Sequence, residues 1–198
     1  MNLKRIFSKT PMSRSSRAYD FALDTVLSLP PEGRILEIGT GQGFSAAYLS
    51  RRLPQAHVVA LDVTYECFKG DELEFGPRKP DFLQASAPQL PLESASCDAV
   101  LLVMTFHCLP EPQEVIREAA RVLKPGGSLL IADVNGHHWI ARPFEWVEHL
   151  GISPLTHAYT PEEIRALTEA AGLRDFRIHW RPGKEGGFMM WVRAQRPK

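Results

Sequence analysis

The sequence predicts a doubly wound α/β fold, in which a mostly parallel sheet lies between two layers of helices. Two observations predict it. Short apolar runs show almost no alternation with polar residues, which is typical of strands buried on both faces. Segments with helical periodicity or helix-end signals separate most of these runs, which is the order expected of strand–helix–strand units.

The predicted elements follow in order. An amphipathic helix is predicted over 16–28 and ends before Pro30 and Pro31. Apolar runs predict strands at 34–38, 57–63, 81–86, 98–104 and 128–134, with KPGG as a turn before the last. Helices are predicted at 44–53, 113–123 and 160–172. The third carries a capping-box pattern, with Thr160 at the N-cap and Glu163 three residues later.

Two further strands are predicted near the end of the chain, at 176–180 and 188–195. The short Gly183–Gly187 turn between them requires that they pair antiparallel. The stretch 64–80 gives no clear element, because Gly70 and Gly76 interrupt any helical pattern there.

Composition limits the class of protein. The 198 residues suit one domain, predicted at 18–198 and preceded by a basic arm at 1–17, which is either solvated or folds over a ligand. A net charge of zero disfavours a nucleic-acid partner. No apolar run approaches the roughly 18 residues of a membrane span. The three cysteines show no paired spacing, which predicts a reducing, cytoplasmic location.

The segment ILEIGTGQG places a glycine-rich loop between the first strand and the next helix. Its spacing is G-x-G-x-G, whereas dinucleotide-binding loops have G-x-G-x-x-G. Glu37 before the loop would repel a pyrophosphate, but would suit an ammonium group or accept backbone N–H bonds. Asp62 ends the second strand, where a carboxylate can accept both ribose hydroxyls. An adenosine ligand with a cationic end is therefore favoured, and S-adenosylmethionine has these features.

The chain resembles the class I S-adenosylmethionine-dependent methyltransferases, particularly the type 11 group. Four segments carry the resemblance in order: ILEIGTGQG, VVALDV, ASAPQLPLESASCDAVLLVMTFHCL and REAARVLKPGGSLLIAD. The resemblance implies a Rossmann-like, seven-stranded sheet whose last strand is antiparallel. It also implies S-adenosylmethionine as cofactor and S-adenosylhomocysteine as product.

The resemblance further implies which residues bind the cofactor. Glu37 and the loop would hold the methionine portion, Asp62 the ribose, and Val63 one face of the adenine. The complete set is Glu37, Gly39, Thr40, Gly41, Gly43, Asp62, Val63, Ser86, Ala87 and Val103. Ser86 stands where relatives often have an Asp at the adenine edge, and Cys97 replaces a common Phe.

The expected reaction is in-line transfer of a methyl group to a small-molecule acceptor. His107, just past the fourth strand, is either a general base or a hydrogen-bonded loop histidine, so no catalytic residue is assigned. An insert at 135–159 is expected on the substrate side, where its aromatic residues either line an acceptor pocket or cover the sheet as core. The adjacent His137 and His138 do not predict a metal site.

Three other functions are weighed against methyl transfer. Another reaction of the same cofactor, such as aminopropyl transfer, has no positive sign in the sequence. A catalytically silent relative that binds the cofactor or a protein fits Ser86 and the interrupted 64–80 stretch. The glycine spacing and Glu37 oppose an oxidoreductase.

Overall fold

A computed structural model describes residues 31–64, 73–151, 155–180 and 185–198. Its strands are β1 (Arg34–Ile38), β2 (His57–Asp62), β3 (Asp81–Gln84), β4 (Cys97–Val103), β5 (Leu123–Val134), β6 (Arg174–His179) and β7 (Met189–Gln195). Its helices are α1 (Phe44–Arg52), α2 (Pro112–Val122), α3 (Ala141–Gly151) and α4 (Pro161–Ala170). A short 3-10 turn, Phe106–Cys108, follows β4.

The strands form one seven-stranded sheet in the order β3-β2-β1-β4-β5-β7-β6. β1 pairs parallel with β2 and β4, and the β2–β3 and β4–β5 pairs are parallel too. β7 lies antiparallel between β5 and β6. The predicted fold class is therefore confirmed, including the antiparallel last strand.

The two sides of the sheet are covered by different helices. Alternate residues of a strand face opposite sides, so Leu36 and Ile38 pack with apolar residues of α2 and α4. Ile35 faces the other side and packs with Ala46 and Leu49 of α1. Glu37, two residues after Ile35, shares the side of α1, and this orientation places its carboxylate below the first turn of that helix.

The element boundaries differ from prediction mainly around β5. The KPGG segment, predicted as a turn, lies within β5, because Leu123 already pairs with Cys97 at the start of β4. A register shift after Cys97 then brings Ser128 opposite Ala99. The predicted capping box of α4 is confirmed, with Thr160 accepting a hydrogen bond from the backbone N–H of Glu163.

The insert at 135–159 contains helix α3, which the sequence reading did not predict. The predicted basic arm and the predicted helix over 16–28 lie outside the described residues, as do 65–72 of the irregular stretch and 181–184 of the glycine turn. None of the helices seen in the described ranges has the length and apolar character needed to cross a membrane.

Candidate cofactor site

The glycine-rich loop runs from the carboxyl end of β1 to the start of α1 and is fixed to the end of β2. The backbone N–H groups of Gly39 and Thr40 both donate to the carbonyl oxygen of Leu61, at 2.7 and 3.0 Å. The N–H of Gly41 donates to Oδ2 of Asp62 at 2.7 Å. The loop and the acid that ends β2 are therefore joined directly, as the carboxyl edge of a parallel sheet allows.

Gly39 is required by its conformation and by its neighbour. Its φ is +76°, in the left-handed region that residues with a Cβ seldom adopt. A Cβ at this position would lie 2.8 Å from Cβ of Thr105 and still closer to that residue's methyl and hydroxyl groups. The Thr105 hydroxyl donates to the Gly39 carbonyl oxygen at 2.9 Å, so the chain after β4 holds the loop from the other side.

Glu37 lies beneath the loop, with 1% of its surface exposed. Its Oε2 accepts a hydrogen bond from the Thr40 hydroxyl at 2.9 Å, and its Oε1 accepts one from the Ser45 hydroxyl. Burial raises the pKa of Glu37 from 4.5 to about 7, against the lowering effect of the Thr40 hydrogen bond. Among the described residues, both hydrogen bonds to the Glu37 carboxylate come from side-chain hydroxyls. The sequence predicts either an ammonium group of a ligand or backbone N–H groups of the loop as partners of Glu37, and the hydroxyl partners are a third kind.

We expect the Glu37→Gln variant to be more stable than the parent above pH 7. Folding takes a carboxylate of ordinary pKa 4.5 into a site where its pKa is about 7. Below pH 4.5 the ionisation of Glu37 therefore does not affect the free energy of unfolding of the parent. This free energy falls as the pH rises from 4.5 to 7, and above pH 7 it stays lower by up to about 3 kcal/mol.

Urea unfolding at pH 4.5, 6 and 8 measures this difference. The free energy of unfolding of the parent should fall through the window relative to that of Glu37→Gln, which keeps acceptors and donors for both hydroxyls. Ser50→Ala, on α1, is the control, because it removes a buried hydroxyl that bonds Ala47 and Gly76 but not Glu37. Equal pH profiles for parent and Glu37→Gln would contradict the expectation.

Asp62 serves as an acceptor for the surrounding backbone. Besides the Gly41 bond, its Oδ1 accepts the N–H of Thr64 at 2.9 Å. A small cavity of about 10 Å³ lies against it, lined by Thr40, Gly41, Ala60, Asp62, Thr64, Phe82 and Leu83. That volume holds about one water molecule. The Asp62 carboxylate offers about four acceptor positions, of which the N–H groups of Gly41 and Thr64 use two.

The remaining predicted residues lie at the same edge of the sheet. Val63 follows β2 and is 67% exposed. Ser86 and Ala87 follow β3, with Ser86 exposed and Ala87 half-buried, and Val103 ends β4 half-buried. Since β3, β2, β1 and β4 are parallel neighbours, their carboxyl ends meet there. All ten predicted residues are thus brought to one edge, with Glu37 and the loop at its centre.

Two residues that organise the loop were missed by sequence reasoning. Ser45 binds Glu37, and Thr105 binds Gly39. Ser45 sits in the first turn of α1, where a hydroxyl reads as an ordinary helix-start residue. Thr105 is 66 residues away from Gly39, and only the pairing of β1 with β4 brings it close.

His107 is a buried, hydrogen-bonded loop histidine, which was one of its two sequence interpretations. Its Nδ1 lies 2.7 Å from Oδ1 of Asp133, at the end of β5, and both residues are at most 5% exposed. Burial alone would lower the pKa of His107, but the charge and hydrogen bond of Asp133 outweigh it and raise the pKa to about 11. The ring therefore holds its proton at neutral pH and is not available as a general base.

The aromatic residues of the insert divide between core and surface. Tyr159 packs on Phe106 at a ring-centroid distance of 4.8 Å, and Phe144 packs on Phe188 at 5.8 Å. Trp139 and Trp146 are 77% and 67% exposed. On α3, Trp146, Val147 and Leu150 present an apolar surface, to which we refer as the α3 apolar face. Neither sequence interpretation describes the whole insert.

The known proteins that resemble this chain in sequence are methyltransferases. Residues 36–131 match the family model of a methyltransferase domain. The chain is 38% identical over 122 residues to a phthiotriol/phenolphthiotriol dimycocerosates methyltransferase of Mycobacterium ulcerans, covering 62% of this chain and 44% of the relative. It is 32% identical over 155 residues to a fatty-acid O-methyltransferase of Mycolicibacterium smegmatis, covering 73% and 54%. The chain thus spans about half the length of these curated relatives.

Solved structures show the same fold. A SAM-dependent methyltransferase from Aquifex aeolicus superposes with a TM-score of 0.73 at 24% identity, covering 97% of this chain and 95% of that one. The matched domain includes β1, the glycine loop, Asp62 and most of β5. About half of the chain therefore matches a methyltransferase domain, and the whole described sheet has the fold of S-adenosylmethionine-dependent methyltransferases.

Proposed function

We propose that this protein transfers a methyl group from S-adenosylmethionine to an apolar small molecule. The observation that carries the proposal is the glycine loop, which is held between Asp62, the buried carboxylate of Glu37 and Thr105. The charges fit the cofactor, because Glu37 is buried and its hydrogen bonds within the described residues come from neutral hydroxyls. An ammonium group would supply the missing positive charge.

Each predicted residue has a role in this proposal. Asp62 would accept the ribose hydroxyls, and Val63, Ser86 and Ala87 would contact the adenine. The loop and Glu37 would hold the methionine portion, approached by the backbone of Val103. Gly41 has open space where a Cβ would stand, so a ligand can approach the backbone there.

The chemistry asked of the chain itself is mainly positioning. When bound, S-adenosylmethionine supplies a methyl group that its sulfonium already activates. The chain then has to place an acceptor atom in line with that methyl, about 3 Å away, and exclude water. A carboxylate acceptor needs no base, which suits a site whose nearby histidine, His107, keeps its proton.

An apolar acceptor is favoured by the surface beside the site. The α3 apolar face and Trp139 expose large apolar side chains on the insert that follows β5. Exposed apolar patches commonly mark binding surfaces. The relatives named above are methyltransferases of phthiotriol/phenolphthiotriol dimycocerosates and of fatty acids, and an apolar acceptor would bury these side chains.

Cofactor binding is the first test. Titration calorimetry on the full chain should detect S-adenosylmethionine and S-adenosylhomocysteine but not NAD. Asp62→Ala should raise the dissociation constant for both adenosyl ligands by about 10- to 100-fold, because hydrogen bonds to a charged group contribute about 1.5–3 kcal/mol each. Asp81→Ala is the matched control, since Asp81 lies at the opposite end of the sheet beside His57. Equal affinity in the two variants would contradict the ribose assignment.

Acceptor class is tested separately with radiolabelled S-adenosylmethionine. Medium-chain and long-chain fatty acids and lipid alcohols should take up label, whereas polar amines and catechols should not. Replacing Trp146 and Leu150 with Ser should lower turnover with lipids while cofactor affinity stays unchanged. Cofactor binding with label on polar acceptors only would leave the methyltransferase assignment in place and overturn the apolar acceptor.

A further inference from the structure

A group of metal-ligating side chains lies at the end of β4, apart from the glycine loop. His107 and Cys108 belong to the 3-10 turn, and Glu148 lies on α3. One potential ligand atom from each residue lies within 4.8 Å of the other two. His107 and Glu148 are buried, and Cys108 is partly exposed, so the group is enclosed by the protein yet reachable from solvent.

The orientation of the His107 ring suits a ligand at its second nitrogen. Nδ1 is occupied by Oδ1 of Asp133 at 2.7 Å, and the other Asp133 oxygen accepts the His107 backbone N–H at 3.2 Å. The ring also forms a hydrogen bond with the Cys108 side chain, which a metal ion at Nε2 would replace. A carboxylate that fixes the non-ligating nitrogen is the arrangement commonly found behind histidines that bind metals.

Glu148 supplies the third potential ligand from a different element, helix α3. It is 6% exposed, and one of its carboxylate oxygens lies within 4.8 Å of a potential ligand atom of His107 and of Cys108. Buried carboxylates are ordinarily hydrogen-bonded, paired or bound to a metal. A cation placed between Glu148, Nε2 and the thiol would satisfy all three groups.

We propose that His107 Nε2, Cys108 Sγ and a Glu148 carboxylate oxygen form a binding site for a zinc-type divalent metal ion. A mixed nitrogen, sulfur and oxygen set favours zinc over magnesium or calcium, which take oxygen ligands. Three protein ligands leave the fourth tetrahedral position to water or another small oxygen ligand. Binding releases the His107 Nε2 proton and the Cys108 thiol proton to solvent. This site does not depend on the methyltransferase proposal.

Cobalt(II) provides a direct probe, because a thiolate ligand gives a charge-transfer band in the near ultraviolet and tetrahedral coordination gives strong visible bands. The chelator-treated full chain should bind one cobalt ion with both features, and zinc should displace it. Cys108→Ser should abolish the charge-transfer band, and Glu148→Gln should weaken cobalt affinity by at least tenfold. Cys97→Ala, in buried β4, is the matched control and should keep both.

Thermal unfolding distinguishes a variant that has lost the metal site from one that folds poorly. Zinc should raise the Tm of the parent and of Cys97→Ala, and should leave the Tm of Cys108→Ser and Glu148→Gln unchanged. A charge-transfer band that persists in Cys108→Ser would assign the metal to another cysteine and overturn the proposal. It is equally overturned if the parent binds no cobalt, or if Glu148→Gln, with native circular dichroism, binds cobalt as tightly as the parent.

Discussion

Replacing Asp133 with Asn is expected to lower the free energy of unfolding of the metal-free protein at pH 7 by about 3–5 kcal/mol, the usual cost of breaking a buried ion pair. Asp133 is 2% exposed and His107 5% exposed, so water cannot take over the lost interaction. One Asp133 oxygen accepts from His107 Nδ1 and from the Val134 N–H, and the other accepts from the His107 N–H. Asn retains one acceptor oxygen and places a donor amide where the other stood.

Urea unfolding in the presence of a chelator measures this effect. Asp98→Asn is the matched control, because Asp98 also bonds a backbone N–H and a cationic side chain, Lys124, but at a half-exposed position. The free energy of unfolding of Asp98→Asn should fall by no more than about 1 kcal/mol, as for solvent-screened pairs. Similar losses in the two variants would show that the buried pair contributes no more than a surface one.

Gly39→Ala is expected to cost about 4 kcal/mol of stability, of which 1–2 come from the left-handed backbone and the rest from overlap with Thr105. The overlap involves Cβ of Thr105 as well as its terminal atoms, so rotation of that side chain cannot relieve it. The loop would have to leave Leu61 and Asp62. Affinity for S-adenosylmethionine should therefore fall at least tenfold in the variant.

The Gly41→Ala variant separates the cost of the left-handed backbone from the cost of steric overlap with Thr105. Gly41 also has a positive φ, +53°, but an added Cβ would meet no atom within 4 Å. It should lose only the backbone contribution, about 1–2 kcal/mol. The double variant Gly39→Ala/Thr105→Ala should regain part of the loss, because the methyl and hydroxyl are removed. Chemical denaturation of the four proteins tests both statements, and a Gly41→Ala as unstable as Gly39→Ala would refute the steric explanation.

The fold was predictable because its strands carry their signal locally. β1, β2, β4 and the second half of β5 are mainly apolar runs, which a doubly covered sheet buries. The capping residues of α4 likewise act within one turn, so its start was predicted correctly at Thr160. Helix α3 was missed because Pro143 reads as a helix breaker, although it lies in the first turn, where proline is tolerated.

The outward position of the α3 apolar face is a second reason why helix α3 was not predicted. Its large residues Trp146, Val147 and Leu150 face outward. A pattern search expects the apolar stripe of a helix to face the core. The helix instead buries Glu145 and Glu148, whose side chains a sequence reading assigns to solvent. Polar burial of this kind is decided by partners from other elements, such as the Ala158 N–H that donates to Glu145 at 2.7 Å.

The sequence by itself determined the succession of strands and helices along the chain, the glycine loop and the acids that flank it, because each depends on residues close together in the chain. Only the tertiary structure decided that Glu37 is bound by hydroxyls beneath the loop, that Thr105 requires glycine at position 39, and that Asp133 pairs with His107. The loop–Thr105 contact and the Asp133–His107 pair join residues 66 and 26 positions apart. Such contacts form because the carboxyl ends of paired parallel strands lie side by side. Local sequence patterns do not show which strands will pair.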